Sequence, residues 1–283
     1  MKLELYQGDC LEIMKNIPDK SVDMVLCDMP YGTTQCKWDM PIPLDLLWNE
    51  YKRISKDDTA IVLFSAQPFT TDLINSNRKM FKYEIIWKKT QKTGFYNAKI
   101  APLRAHENIL VFYLNQPTYN PQKYKLSEDY IKKHLVPMGR TRKNSDYKKT
   151  TGEAFGHVSK EAAESWSYTE KGERYPSDVI EFSNWNGSLF GVPQKNKAKH
   201  MTRKPVPLLE YLIRTYTNEG DVVLDNCMGS GSTGVACANT KRSFIGIELD
   251  NNYFQTSKEQ VEQAYLSSGA KMDESEESTD DTD

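Results

Sequence analysis

Two hydrophobic periods alternate over the first 114 residues of the chain. Short apolar or β-branched runs bounded by turn residues predict strands at 3–6, 22–27, 60–65, 83–88 and 108–114. Residues 44–51 instead place apolar side chains at the i, i+3, i+4, i+7 spacing of an amphipathic helix. Asp9 and Glu12 resemble a capping box that opens a helix at 10–17. The alternation of strands and helices predicts an α/β fold.

The same alternation returns near the C-terminus, after a long stretch that lacks it. It predicts a helix after Pro205, a strand at 221–225, a helix from 232, a strand at 243–247 and a helix at about 251–266. From 115 to 200 the periodicity fades, and a stretch of that length predicts an inserted module rather than a simple loop. We therefore expect one α/β domain in two parts, residues 1–114 and residues 201–267. Residues 115–200 would form an insertion between these parts, and residues 268–283 would form a C-terminal tail.

Charge is distributed unevenly along the chain. The net charge is −2, but residues 272–283 carry seven acids and no base, and without them the chain would carry +5. That tail is predicted to be disordered and solvating, with mimicry of DNA as the alternative. Residues 115–204 carry seventeen Lys and Arg against ten acids, with Trp166, Trp185 and tyrosines interleaved. This composition suits neutralisation of nucleic-acid phosphates together with some contact to bases.

Composition argues against a membrane protein and against a metal site. No apolar run approaches the length of a membrane span, and the N-terminus lacks a signal-peptide pattern. The five cysteines and four histidines show no metal-ligand spacing, and the cysteines show no redox spacing. We expect reduced thiols, no bound metal and a cytoplasmic location.

A glycine-rich turn follows the strand predicted at 221–225. Gly229, Gly231 and Gly234 match the Gly-x-Gly-x-x-Gly spacing, and Glu248 follows about twenty residues after the turn begins. In a nucleotide site the glycines let the ligand approach the backbone, and the acid accepts hydrogen bonds from ribose hydroxyls. An ordinary tight connection between a strand and a helix is the alternative interpretation.

The position of this turn favours S-adenosylmethionine over NAD, two cofactors that both contain adenosine. After Glu248 the chain has room for one helix and the tail, whereas a dinucleotide site needs further βα units. Strands from the N-terminal region must then complete the sheet, as in a circularly permuted domain.

A second turn, Asp28-Met29-Pro30-Tyr31, follows the strand predicted at 22–27. The Asp28 carboxylate and the Met29 carbonyl could accept the two N–H bonds of an exocyclic base amine. Pro30 would stiffen the turn, and Tyr31 offers a face on which a flipped base can stack. Positioning of this kind suits methylation of a nucleobase amine. Without the glycine turn, an ordinary turn after a strand would be as good an interpretation.

Taken together, these motifs resemble the amino (N6-adenine or N4-cytosine) DNA methyltransferases of the permuted β arrangement. The stretches that carry the resemblance are Gly8–Glu12, Asp28–Gly32, His106–Phe112, His200–Pro205 and Asp225–Gly231. In that family the catalytic motif precedes the target-recognition region and the cofactor glycine motif comes last. The resemblance implies a circularly permuted, Rossmann-like methyltransferase sheet with a target-recognition module inserted at about 115–200.

The resemblance also implies roles for individual residues. Asp28, Met29, Pro30 and Tyr31 would form the catalytic turn. The cofactor S-adenosylmethionine would be bound by Asp9, Cys10, Asp28, Thr202, Lys204, Cys227, Met228, Gly229, Ser230, Gly231 and Glu248. Of these, Asp9 and Cys10 would lie beside the adenine, and Thr202 and Lys204 would line the methionine end. The turn Cys227–Gly231 would wrap the cofactor, and Glu248 would hold its ribose.

Three departures from the family pattern stand out. Met29 replaces the first proline of Asp-Pro-Pro-Tyr, a position from which the chemistry needs only the backbone carbonyl. Asn226 and Cys227 replace a Pro-Phe pair, which removes an aromatic ring that would pack against the cofactor. The family stretch His-Pro-Thr-Gln-Lys-Pro reads His-Met-Thr-Arg-Lys-Pro at residues 200–205, so Thr202 and Lys204 are kept. We interpret these changes as divergence within a working enzyme, with a non-catalytic DNA-binding relative as the alternative.

The function expected is site-specific methyl transfer from S-adenosylmethionine to N6 of a flipped adenine in double-stranded DNA. Adenine is favoured because Asp28 opens the turn, where the cytosine enzymes of the family more often have Ser. An N4-cytosine enzyme and an RNA methyltransferase are the alternatives. The resemblance suits a bacterial or phage-encoded protein, and it is compatible with a homodimer and a cognate restriction nuclease as partners.

Overall fold

The computed structural model of the protein describes residues 1–32, 40–127, 173–184 and 203–269. Strands in these ranges are β1 Leu3–Gln7, β2 Val22–Cys27, β3 Ser55–Ser65, β4 Phe81–Thr93, β5 Arg104–Phe112, β6 Tyr124–Lys125, β7 Glu173–Arg174, β8 Val179–Phe182, β9 Val222–Asp225 and β10 Ser243–Glu248. Helices are α1 Cys10–Met14, α2 Leu44–Ile54, α3 Phe69–Ser76, α4 Val206–Tyr216, α5 Ser232–Asn239 and α6 Asn251–Ser267. None of the described helices is long and apolar enough to cross a membrane.

In the described part of the chain, eight strands form one sheet in the order β1-β10-β9-β2-β3-β5-β4-β8. Strand β5 runs antiparallel to β3 and β4, and the other neighbours pair in parallel. At the centre of the sheet Met24 of β2 lies opposite Val223 of β9, so the two ends of the chain meet there. This arrangement confirms the expectation that strands from the N-terminal region complete the sheet around the glycine turn.

Two apolar layers cover the two faces of the sheet. Along β2, Met24 and Leu26 belong to the layer that includes helices α4, α5 and α6, whereas Val25 and Cys27 belong to the layer with α1 and α2. All four side chains are at most 1% exposed, as expected for a parallel strand buried on both faces. The strand that carries the candidate catalytic turn is thus held rigidly from both sides.

The structure extends several predicted elements and adds others. Strand β3 begins at Ser55, directly after α2, five residues before the predicted strand at 60–65. Helix α1 ends at Met14 rather than at 17, so the predicted C-terminal boundary was wrong. Asp9 caps α1 by accepting from the backbone N–H groups of Leu11 and Glu12, as predicted. The Glu12 side chain bonds Lys15 instead of completing the capping box. Helix α3 and strand β8 were not predicted.

The described residues divide into two compact units, residues 1–120 with 178–283, and residues 121–177. In the second unit β6 and β7 pair antiparallel, and the Lys123 ammonium lies 4.6 Å from the centre of the Tyr175 ring. Strand β8 falls within the 115–200 stretch of the predicted insertion, yet it pairs in parallel with β4 of the large sheet. Residues 128–172 and 185–202 and the tail from 270 lie outside the described ranges, so the proposed domain boundaries stay predictions.

Candidate active site at the carboxyl ends of the central strands

Both sequence motifs lie at one edge of the sheet. Strands β2, β9 and β10 are neighbours that run in the same direction, so their carboxyl ends meet at that edge. Asp28 follows the end of β2, the glycine turn follows β9, and Glu248 ends β10. Ligands of open α/β sheets bind at such an edge. The fold therefore brings the turn at 28–31 beside the turn at 227–231.

Asp28 is the centre of a hydrogen-bond network. The Lys204 ammonium donates to Asp28 Oδ2 at 2.5 Å, and the Tyr31 hydroxyl donates to Asp28 Oδ1 at 2.7 Å. The Tyr31 ring also stacks on Phe69 of α3, with ring centres 5.2 Å apart. Burial raises the pKa of Tyr31 well above its usual range, and the charge of Asp28 adds to this shift. Tyr31 therefore stays protonated and holds the Asp28 carboxylate in one orientation.

The Met29 side chain points into the protein. It is 2% exposed and belongs to the apolar layer of helices α1 and α2. A position that buries its side chain in an apolar layer accepts methionine as readily as proline. This packing explains how the turn tolerates its departure from the family pattern.

The glycine turn is fastened to the end of β10. The Gly229 N–H donates to Glu248 Oε2 at 2.9 Å, and the Asp250 N–H donates to Oε1 at the same distance. The Met228 N–H donates to the carbonyl of Ile247. Burial raises the pKa of the Glu248 carboxyl. Each carboxylate oxygen keeps a further lone pair, so Glu248 can brace the turn and still accept from a ligand.

Two glycines of the fingerprint are also required by packing. Gly231 has φ +75°, and a Cβ there would lie 2.9 Å from side-chain carbons of Ser257 and Val261 on α6. A Cβ on Gly234 would lie 2.7 Å from the Phe244 ring of β10 and from Val261. Helix α5 therefore approaches α6 and the sheet more closely than any side chain at these positions would allow.

Buried polar groups stabilise the start of the turn. Asp225 Oδ2 accepts from the Thr233 hydroxyl at 2.6 Å, and Oδ1 accepts from the Cys227 N–H at 3.1 Å. Burial raises the pKa of Asp225 to about 7. Asn226, 2% exposed, accepts from the buried Tyr51 hydroxyl at 2.6 Å. The asparagine that replaces a family proline therefore satisfies a hydroxyl that would otherwise be buried without a partner.

Three thiols meet beneath the same turn. The Cys227 thiol is in hydrogen-bond contact with the thiols of Cys10 and Cys27, and these contacts, with burial, raise the pKa of Cys227. Burial also raises the pKa of Cys27, to about 12. The structure thus brings Cys10, at the start of α1, against the glycine turn, with Asp9 exposed beside it. Thr202 lies outside the described residues, so its predicted role remains untested.

Sequence reasoning missed two charged residues near Asp28, namely Lys89 and Glu107. The Lys204 ammonium lies 3.3 Å from Glu107 Oε2, and the Lys89 ammonium bonds Glu107 Oε1. Burial alone would raise the pKa of Glu107, but the positive charges of Lys204 and Lys89 outweigh burial, and the net effect lowers that pKa. Burial alone would lower the pKa of Lys204, but the negative charges of Asp28 and Glu107 outweigh burial, and the net effect raises that pKa. Glu107 and Lys204 therefore both stay charged. Glu107 lies in a stretch that carries the family resemblance, which was the available signal.

The described residues contain no group of three His, Cys, Asp or Glu side chains placed to hold a metal ion. What they do contain is an oriented carboxylate beside an aromatic ring, next to a glycine turn and a second carboxylate. Such a set can bind an amine and an adenosine.

Comparison with known proteins places these features in context. Residues 22–259 match the profile of the family described as DNA methylase (N6_N4_Mtase). Type II methyltransferase M.HpaI of Haemophilus parainfluenzae is 27% identical over 281 residues, covering 94% of this chain and 76% of that protein. DNA adenine methyltransferase YhdJ of Escherichia coli K12 is 25% identical over 264 residues, covering 89% and 80%.

A solved structure gives a likeness of fold. PvuII DNA methyltransferase, described as cytosine-N4-specific, matches with a TM-score of 0.60 at 16% identity, covering 95% of this chain and 93% of that one. The match confirms the predicted fold class, a Rossmann-like sheet in permuted chain order.

Proposed function

Because the chain belongs to the family of N6-adenine and N4-cytosine DNA methyltransferases, whose methyl donor is S-adenosylmethionine, we propose that it methylates N6 of adenine in double-stranded DNA. The observation that carries the proposal is Asp28. Its carboxylate is oriented by Tyr31 and lies at the sheet edge where the glycine turn begins.

The residues around the glycine turn fit the cofactor. Glu248 keeps lone pairs for the ribose hydroxyls, and the backbone of Gly229–Gly231 allows close approach. The Leu249 side chain, 65% exposed beside Glu248, offers an apolar surface for the adenine ring. When bound, S-adenosylmethionine supplies a methyl group activated by its sulfonium.

Asp28 would act on the amine of the flipped base. The nitrogen lone pair is delocalised into the ring, and acceptors for its N–H bonds draw it toward the geometry needed for attack. A bound cofactor would supply the methyl group, and Asp28 or water would accept the proton that the methylated amine loses. The developing positive charge on nitrogen is stabilised by the carboxylate.

The connection between β4 and β5 supports DNA as the substrate. Strand β4 runs parallel to β3, so its carboxyl end lies at the same edge as Asp28. Phe95, Tyr96 and Ile100 in this connection are exposed, Tyr96 completely, and Lys92 and Lys99 are exposed beside them. Exposed aromatic rings can stack on bases, and the ammonium groups can neutralise phosphates.

Adenine rather than cytosine is supported by the aspartate that opens the turn and by the full-length similarity to YhdJ, named a DNA adenine methyltransferase. The second candidate, N4 of cytosine, is supported by the fold likeness to the cytosine-N4-specific PvuII enzyme. The homodimer and the cognate nuclease stay predictions.

The deciding experiment measures methyl transfer from labelled S-adenosylmethionine to unmethylated genomic DNA, followed by nucleoside analysis. We expect N6-methyladenine. N4-methylcytosine would keep the family and overturn the base. Asp28→Asn should lower kcat by about 10²–10³-fold because it removes the charge that stabilises the transition state.

The matched control is Asp57→Asn, which removes a carboxylate whose side chain is 74% exposed on β3. It should leave turnover unchanged. Turnover retained by Asp28→Asn would refute the role of Asp28, and retained binding of cofactor and DNA would exclude misfolding as the cause of a loss.

A further inference from the structure

Four charged side chains form a continuous chain behind the candidate catalytic turn. Lys89 of β4 bonds Glu107 of β5, Glu107 faces Lys204, and Lys204 bonds Asp28. The side chains of Lys89 and Lys204 are each 10% exposed, that of Glu107 is 17% exposed, and that of Asp28 is 30% exposed. Charge is balanced, with two cations and two anions.

The two contacts of Lys204 are unequal. Its ammonium lies 2.5 Å from Asp28 Oδ2 but 3.3 Å from Glu107 Oε2, and it also lies 5.0 Å from the centre of the Phe64 ring. Glu107 Oε2 is buried and accepts no hydrogen bond from any residue that the structure describes. An ideal charge-assisted bond is about 2.8 Å long, so a shift of about 0.5 Å would complete the Glu107 contact.

The reaction assigned to Asp28 explains why a second anion is useful. Positive charge develops on the amine beside Asp28, and a lysine ammonium bonded to the same carboxylate opposes that charge. If Lys204 moves to Glu107, Asp28 meets the amine with its own charge uncompensated. Lys89 occupies the other oxygen of Glu107 and so keeps Oε2 turned toward Lys204.

We propose that Glu107, held by Lys89, is a positioning residue for methyl transfer that takes the Lys204 ammonium from Asp28 as the target amine approaches. The proposal rests on the function proposed for Asp28. Glu107 touches neither the base nor the methyl group in this account and acts through Lys204.

The test compares Glu107→Gln with Glu181→Gln in assays that vary cofactor and DNA up to saturation. Glu181 is the matched control, because it pairs with Lys88, the neighbour of Lys89 on β4, but at an exposed site. We expect Glu107→Gln to lower kcat by about 10- to 100-fold with KM values nearly unchanged, and Glu181→Gln to have no effect. An unchanged kcat, or a loss confined to KM, would overturn the proposal.

A double-mutant cycle separates positioning from simple structural support. Once Lys204→Met has removed the ammonium, adding Glu107→Gln should cost little further activity, because the two residues act through one contact. Losses that multiply independently would show that Glu107 supports the fold instead.

A measurement that does not require turnover keeps the two proposals apart. With ¹³Cε-labelled lysine, the resonance missing from Lys204→Met identifies Lys204, and its pKa should be lower in Glu107→Gln than in the wild type. An unchanged pKa would overturn the pairing. Failure of the wild type to methylate any DNA would overturn the proposed function, while this titration would still decide whether Glu107 is the counter-ion of Lys204.

Discussion

Asp225 provides the sharpest test of how the glycine turn is stabilised. Its carboxyl is 3% exposed at the end of β9, and burial raises its pKa from the usual 3.8 to about 7. The folded protein therefore keeps a proton that the unfolded chain has released. Stability should fall as the pH rises between about 4 and 7 and should level off above that range, since the folded state then ionises as well.

The expected magnitude follows from that shift. Between pH 5 and pH 8 the raised pKa removes about 2–3 kcal/mol from the free energy of unfolding. Asp225→Asn removes this contribution because the amide never ionises. Its oxygen can accept from the Cys227 N–H, and its NH₂ can donate to the Thr233 hydroxyl after that hydroxyl rotates. The variant should be the more stable protein at both pH values, and its advantage over the wild type should be about 2–3 kcal/mol larger at pH 8 than at pH 5.

Thermal unfolding at the two pH values measures the effect. For a domain of this size the difference corresponds to a Tm advantage of Asp225→Asn over the wild type that grows by roughly 5–10 °C between pH 5 and pH 8. Asp57→Asn, an exposed carboxylate on β3, controls for the change in net charge. If the wild type and Asp225→Asn lose Tm in parallel between pH 5 and pH 8, the buried proton on Asp225 does not exist and the reasoning fails.

Two further substitutions test the packing of the same turn. Gly231→Ala should lower the free energy of unfolding by about 2–4 kcal/mol and weaken cofactor binding in calorimetry, since it combines a left-handed φ with a Cβ 2.9 Å from side chains of α6. Gly220 has a similar φ of +92°, but a Cβ there would meet nothing within 4 Å. Gly220→Ala should therefore show the backbone strain without the clash. An equal loss of stability in both variants would contradict the packing argument. Tyr51→Phe should cost about 1–3 kcal/mol in urea denaturation because it leaves Asn226 Oδ1 buried without its donor, and an unchanged midpoint would show that this bond contributes nothing.

The sequence predicted the parts of the site that local spacing encodes. The turn at 28–31 and the glycines with Glu248 are short-range patterns, and each follows a recognisable strand. The permuted topology followed from counting the residues after Glu248. The inferences about strands, turns and topology succeeded because they depend on chain order and local conformation rather than on tertiary contacts, whereas the roles of the site residues stay predictions.

The ion network could not be predicted in the same way. Lys89 and Glu107 are charged residues that directly follow and directly precede the strands predicted at 83–88 and 108–114, where solvent exposure is the usual outcome. Only the folded sheet shows that β4 and β5 bring them together and that Lys204 closes over them. Helix α3 and strand β8 escaped notice because each is short and lies among polar residues, so tertiary pairing rather than periodicity defines them.

The pairing of Met24 with Val223 at the centre of the sheet also sets an order of events during protein synthesis. A ribosome adding roughly 5–20 residues per second completes β2 roughly 10–40 s before β9. During that interval β2 has β3 as its neighbour on one side only, and the edge that β9 will cover is open to mispairing. Asp28 is translated early, but Lys204, the glycine turn and Glu248 follow only near the end of synthesis. A nascent chain therefore cannot assemble the candidate site until most of the protein has left the ribosome.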